Sequence, residues 1–213
     1  GAPFVDAELV VAANPFSDQS EAFRDLRSQL MMGVLAPADV RRALAVVSSN
    51  VGDGKTFMAA NLAVAFSQLG GRTLLIDADM RTPRQHRIFG VDNASGLSTI
   101  LSGRSESGSI HRVNNLPCLW VLPVGTVPPN PLELLQRPAF GLLLRELLSK
   151  FDHVVIDTPA SEHGADARVV AAACGAALVI GRVEKSRMHA MQSLIGRLRK
   201  SPAQVAGVVM NDY

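Results

Sequence analysis

The stretch that decides the reading is "SSNVGDGKTFMAANLA", residues 48–63. Its Gly-rich turn ends in Gly54-Lys55-Thr56. It follows the apolar run "ALAVVSS" (43–49) and opens into a helix-like segment from Lys55 to Leu69. A strand, a Gly-rich turn and a helix in that order hold phosphates. The turn N–H groups and the positive helix end face the anion, a Lys reaches the outer phosphate oxygens, and a Ser or Thr hydroxyl binds Mg2+. Ser49–Thr56 follows G-x-x-x-x-G-K-[ST] with Ser at the first position, and Gly52 and Gly54 remain to supply positive φ. The expected nucleotide contacts are Gly52, Asp53, Gly54, Lys55, Thr56 and Phe57, with ATP or ADP and Mg2+ as the ligands.

Two further apolar runs end in carboxylates. "LLIDADMR" (74–81) places Asp77 at the end of a strand and Asp79 two residues on, and "HVVIDTP" (153–159) does the same for Asp157. A carboxylate at the end of a buried strand is costly to desolvate without a partner. A single such Asp is easily a strand-end cap open to water. Two strands with this feature beside a phosphate turn read as one metal–nucleotide site, with Mg2+ and its waters as the natural partner. Asp157 is expected to hold a metal water and Thr56 to complete the metal set. Asp77 is expected in the metal shell or as a base, and Asp79 in support.

Strand and helix signals alternate along the rest of the chain. Residues 1–16 read as an extended arm and 17–213 as a single domain. Asp18 with Glu21 three residues on fits a capping box, for a helix striped by Phe23, Leu26, Leu30 and Val34 and closed by Pro37. Strands are expected at 72–79, 119–125, 153–159, 176–184 and 205–211. A helix is expected from Asn130-Pro131, with others near 162–174 and 186–200. Residues 90–115, rich in Gly and Ser, favour neither period. Fully apolar strands alternating with helices predict an α/β fold with a doubly wound, mainly parallel sheet.

The bulk numbers agree with one such domain. The chain has 213 residues, enough for a large core, and 47% hydrophobic content argues against disorder. A net charge of +2 gives no footprint for nucleic acid. No basic-then-apolar leader is evident, and the longest apolar stretch, 169–181, is too short to span a bilayer. The histidines show no metal-like spacing, and no Ser-His-Asp arrangement is supported. Cys118 and Cys174 read as two buried, reduced thiols. The basic residues of 81–87 and 187–200 read as solvated faces, with Arg81 and Arg84 near enough to the Asp pair to touch phosphate or an acceptor.

The combination resembles the bacterial tyrosine kinases that control export of extracellular polysaccharide. That family has a Walker A loop, a Walker A′ strand ending D-x-D-x-R and a Walker B strand ending D-T-P. Here stand Ser49–Thr56, then Asp77-Ala78-Asp79-Met80-Arg81, then Asp157-Thr158-Pro159. Val51 and Ala160 occupy positions where the family more often has Pro, and neither departure removes a ligand. "EAFRDLR" (21–27) resembles the family's E-x-x-R-x-x-R helix, which makes subunit contacts in a ring; its residues are Glu21, Arg24 and Arg27. On their own these three read as a solvated face with an i, i+3 ion pair worth about 0.2–0.5 kcal/mol. "GVVMND" (207–212) resembles the last strand of related nucleotide-binding proteins, whose Asn contacts adenine. That suggests Asn211, although a strand-end turn Asn fits the residues nearly as well. "PPNPLELL" (128–135) matches a further family segment. "DADMRTPRQHRIFGVDNASGLS" (77–98) resembles the EpsG-type chain-length-determinant kinases within the family.

The resemblance implies a MinD/ParA-like, three-layer P-loop NTPase fold. It implies in-line phosphoryl transfer from MgATP to tyrosine, with slow hydrolysis, by Lys55, Asp77, Asp79 and Asp157. It further implies a homo-oligomeric ring, a tyrosine-bearing protein substrate and a Wzz-type transmembrane chain-length-determinant activator. The expected location is cytoplasmic, peripheral at the inner membrane through that activator. Better-known members end in clustered tyrosines, whereas the only Tyr here is Tyr213, a possible single acceptor or an edge-of-strand aromatic. A nucleotide-binding regulator of the same export system without autokinase activity is therefore an alternative. A MinD/ParA-like partition ATPase is a third; such proteins carry a Lys in the slot that holds Asn50 here.

Overall fold

The computed structural model describes residues 8–104 and 108–211. Its strands are β1 (Ala43–Ser48), β2 (Thr73–Asp77), β3 (His111–Arg112), β4 (Leu119–Leu122), β5 (His153–Asp157), β6 (Gly175–Arg182) and β7 (Gln204–Asn211). They form one sheet in the order β3-β4-β2-β5-β1-β6-β7. Every neighbouring pair is parallel except β3 against β4.

Helices α1 (Val10–Ala13), α2 (Asp18–Met32), α3 (Lys55–Ser67) and α4 (Gln85–Phe89) cover one face. Helices α5 (Leu97–Leu101), α6 (Pro131–Gln136), α7 (Pro138–Lys150), α8 (Asp166–Cys174) and α9 (Lys185–Arg199) cover the other. In β1 every residue is buried: Ala43, Ala45 and Val47 face the second layer, Leu44 and Val46 the first. Cover on both faces is what permits strands apolar throughout. The strand order reverses at β1, and the phosphate turn leaves its C-terminal end, the position where open α/β sheets bind ligands.

Several local expectations need correction. Within the supposed arm, residues 10–13 are helical rather than extended. Leu9 and Val11 bury against α3, where Asn61 accepts from the Val11 N–H at 3.2 Å. Residues 1–7 lie outside the described residues. The N-cap of α2 is Ser17, whose hydroxyl accepts from the Ser20 N–H at 3.2 Å, so Asp18 is the first helical residue and no capping box forms. Asn130 stands at the start of α6, but its amide donates to Glu133 at 2.8 Å instead of capping. Cys174 is buried as expected, whereas Cys118 is half-exposed. Residues 90–115, ambiguous by period, hold α5 and β3 among their described part.

Candidate active site

The phosphate turn is built by two left-handed glycines, Gly52 at φ 82° and Gly54 at φ 86°. Gly54 is required twice over, since a Cβ there would lie 2.5 Å from Asn211 Nδ2. That amide donates to the Asp53 carbonyl at 2.6 Å, tying the end of β7 to the turn. The Asp53 carboxylate accepts from the Asn50 N–H at 3.2 Å and from Arg187 at 2.6 Å. Asp53 thus holds the loop with its side chain and offers a phosphate only its main chain. Gly52–Phe57 line one wall of a cavity of about 500 Å3; Asp79, Thr82, Ala160 and His163 also line it.

Strand pairing brings the carboxylates together. β2 and β5 run in register with Asp77 opposite Asp157, so two acids share one level of the sheet. Both are buried. Asp77 accepts three backbone N–H bonds, from Asp79 at 3.0 Å, Arg84 at 3.2 Å and Gln85 at 3.1 Å. Asp157 Oδ2 accepts from Gln85 Nε2 at 3.0 Å, and its Oδ1 has no hydrogen-bond partner. Burial, and then the Asp157 charge, raise the Asp77 carboxyl well above its usual range. Asp157 is raised as well, by burial first, with Lys55 pulling the other way. Lys55 Nζ lies 3.7 Å from Asp79 Oδ2, a largely buried pair.

This donor set fits magnesium. Two buried carboxylates at one level of the sheet are costly when both are charged, and the orphaned Asp157 Oδ1 is a ready ligand to a cation or to its water. Among the described residues no three His, Cys, Asp or Glu converge as a metal cage. Mg2+ does not need one, because it keeps waters and takes one or two carboxylates plus phosphate oxygens.

Comparison with known proteins agrees with this geometry. Residues 44–213 match the model of the CobQ/CobB/MinD/ParA nucleotide-binding domain. The tyrosine-protein kinase Wzc of Salmonella typhi is 36% identical over 98% of this chain, and the chain spans 29% of Wzc's length. CapB of Staphylococcus aureus is 37% identical over 95% of the chain and 88% of its own length. The kinase domain of the Escherichia coli tyrosine kinase ETK superposes with a TM-score of 0.90 at 29% identity, covering 100% of this chain and 82% of that one. The chain belongs to the bacterial tyrosine-protein kinase family. Its fold is shared more widely: the septum-site protein MinD of Pyrococcus horikoshii, solved with Mg-ADP, has a TM-score of 0.69 at 25% identity over 81% of this chain and 70% of that one.

In this kinase-family chain two polar residues escaped the sequence reading. Gln85 bonds all three motif loops: its N–H reaches Asp77, and its side-chain amide reaches Asp157 and, at 3.1 Å, the Thr56 carbonyl. Glu162 accepts from the Val51 N–H at 2.6 Å and from Asn50 Nδ2 at 3.3 Å. The basic residues after the Asp pair are already engaged: Arg81 forms a two-point pair with Asp166, each contact 3.2 Å, and Arg84 pairs with Glu8 at 2.9 Å.

The expected interface helix divides. Glu21 and Arg24 pair with each other at 2.6 Å on the exposed face of α2, while Arg27 turns inward and donates to the Ala65 carbonyl of α3 at 2.5 Å. Tyr213 lies outside the described residues. No helix of the described residues is long and apolar enough to cross a membrane.

Proposed function

We propose that this chain is an MgATP-dependent protein-tyrosine kinase domain, with slow ATP hydrolysis, serving control of polysaccharide chain length and export. The observation that carries this reading is the Asp77–Asp157 pair beneath the phosphate turn, buried, short of one partner and beside Lys55. Gly52–Thr56 would bind the phosphates through main-chain N–H groups and the Lys55 ammonium. Thr56 and Asp157 would hold Mg2+, with Asp77 either in the metal shell or acting as the base, and the ion supplies neutralisation of charge on the transferring group. Phe57 and Asn211 would stand toward the base.

Asp77 is assigned the proton of the acceptor hydroxyl. As the base it uses the one of about four lone-pair positions that its three N–H bonds leave open. Tyrosine titrates near 10 and needs such help at neutral pH. Asp79 holds Lys55 in place until phosphate takes it over.

The same reading assigns a tyrosine-bearing protein as substrate, a homo-oligomeric ring through Glu21, Arg24 and Arg27, and a Wzz-type transmembrane activator that keeps the domain at the cytoplasmic side of the inner membrane. The inward turn of Arg27 gives the outer contacts to Glu21 and Arg24. Residues 17–213 would act as one domain. Mass spectrometry after incubation with MgATP and a tyrosine-rich partner tests the proposal, and phosphotyrosine is the expected product. The single tyrosine of the chain supports one other reading, a nucleotide-bound regulator without autokinase activity, for which bound ATP with neither phosphotyrosine nor free phosphate is the mark. Against the partition type, the slot of the expected Lys holds Asn50, bonded to Glu162 of its own chain.

A further inference from the structure

The end of the phosphate turn nearest β1 already carries an anion. After β5 the chain makes a short 3-10 turn, Ser161–His163, and folds back over the loop. The Glu162 N–H donates to the Ser49 carbonyl at 2.9 Å, which pins its backbone beside the start of the turn. Its carboxylate then spans the Val51 N–H, at 2.6 Å, and the Asn50 side-chain amide, at 3.3 Å. Turn N–H groups of this kind are the ones a phosphate loop offers to its ligand. Ala160, just before this small turn, and His163, its last residue, line the same cavity as Gly54, Lys55 and Asp79.

The position along the cavity matters. Asn211 and Phe57 mark one end of the phosphate turn, and the carboxylates at the ends of β2 and β5 mark the metal. Glu162 bonds Asn50 and Val51, at the end of the turn away from Asn211, which is the end for the last phosphate of a nucleotide whose base stands toward Asn211. The Val51 N–H holds its carboxyl below the usual range, so it is charged at neutral pH. The residue is exposed, and no packing prevents it from swinging away.

We infer that Glu162 is a specificity residue that weighs the terminal phosphate of the bound nucleotide. Docked on Val51 and Asn50, it leaves a diphosphate undisturbed and opposes a triphosphate by like charge and by occupying a loop N–H. ATP is admitted as Glu162 leaves that N–H, and ADP is retained with it in place. This inference rests on the nucleotide-binding reading above and names a preference within that site.

The test is calorimetric titration of MgADP and of the Mg2+ complex of a non-hydrolysable ATP analogue into the protein, Glu162→Gln and Glu146→Gln. Glutamine can keep the bond from the Val51 N–H through its single amide oxygen, gives up acceptance from Asn50 Nδ2, and removes the charge. Glu146, on the exposed face of α7 and paired with Lys150, reports the same charge change at a distance. Glu162→Gln should tighten the triphosphate by roughly three- to fivefold, the size of an exposed charge pair, and leave MgADP within about 1.5-fold. Glu146→Gln should change neither. Equal tightening of both nucleotides, or no change in either, overturns the discrimination while leaving nucleotide binding intact. Absence of heat with both ligands in every protein overturns the nucleotide reading itself.

Discussion

The carboxylates at the ends of β2 and β5 and the charges on α2 answer the same physical demand in opposite ways. On α2, Glu21 and Arg24 neutralise each other in water, and Arg27 is satisfied by a carbonyl of its own chain. At the end of the sheet, Asp77 and Asp157 lie buried side by side, and one oxygen of Asp157 has no donor. The first arrangement is complete by itself. The second leaves an acceptor open to a cation. A ligand site is therefore marked by charge that is desolvated and short of partners, and charge density alone marks nothing.

The strongest way to break this contrast is Asp77→Asn. If Asp77 takes the acceptor proton, transfer to a tyrosine peptide should fall by about 100-fold or more, with MgADP affinity largely kept. Transfer at the unaltered rate would remove Asp77 from the chemistry. Next in size is the response to ligand. At a hundredfold excess over Kd, MgADP should raise Tm by roughly 5–10 °C for a chain of this length, and ADP with chelator by much less.

Asp157→Asn sharpens the same point with a smaller, opposite effect. In metal-free protein it removes a buried like charge, and the orphaned Gln85 Oε1 can accept from the new amide. Tm without metal should rise by about 2–4 °C, and the MgADP shift should be lost. A lower Tm in thermal denaturation would mean that the pair is already compensated without a cation. The smallest effects belong to α2. Arg27→Ala should cost about 1 kcal/mol through its lost bond to Ala65. Arg24→Ala should stay within about 0.5 kcal/mol and, if the proposed ring forms through α2, shift its sedimentation instead. Equal losses from the two would erase the division of that helix.

Much of this site was legible because its parts are local. A strand, a turn with Gly52 and Gly54, and a helix opening on Lys55 stand within one short segment, and each Asp closes its own apolar run. What the segments cannot carry is register. Nothing in "LLIDADMR" or "HVVIDTP" states that Asp77 and Asp157 stand opposite; pairing of β2 with β5 does that. Gln85 and Glu162 were missed for the same reason, since their side-chain partners Asp157 and Val51 lie 72 and 111 residues away. Ser17 and Asp18 are equally good caps, so a slip by one residue is beyond propensity. Residues 9–13 are apolar without a break, so no period marked the helix that forms at 10–13 with Leu9 and Val11 buried.

The Asn211–Asp53 bond has a dynamic corollary. β7 is an edge strand, paired with β6 alone and only half-buried along most of its length. Sheet margins fray first, on paths far cheaper than global unfolding. Whenever β7 peels away, the Asn211 brace under Asp53 goes with it, and amide exchange at this margin reports how often that happens.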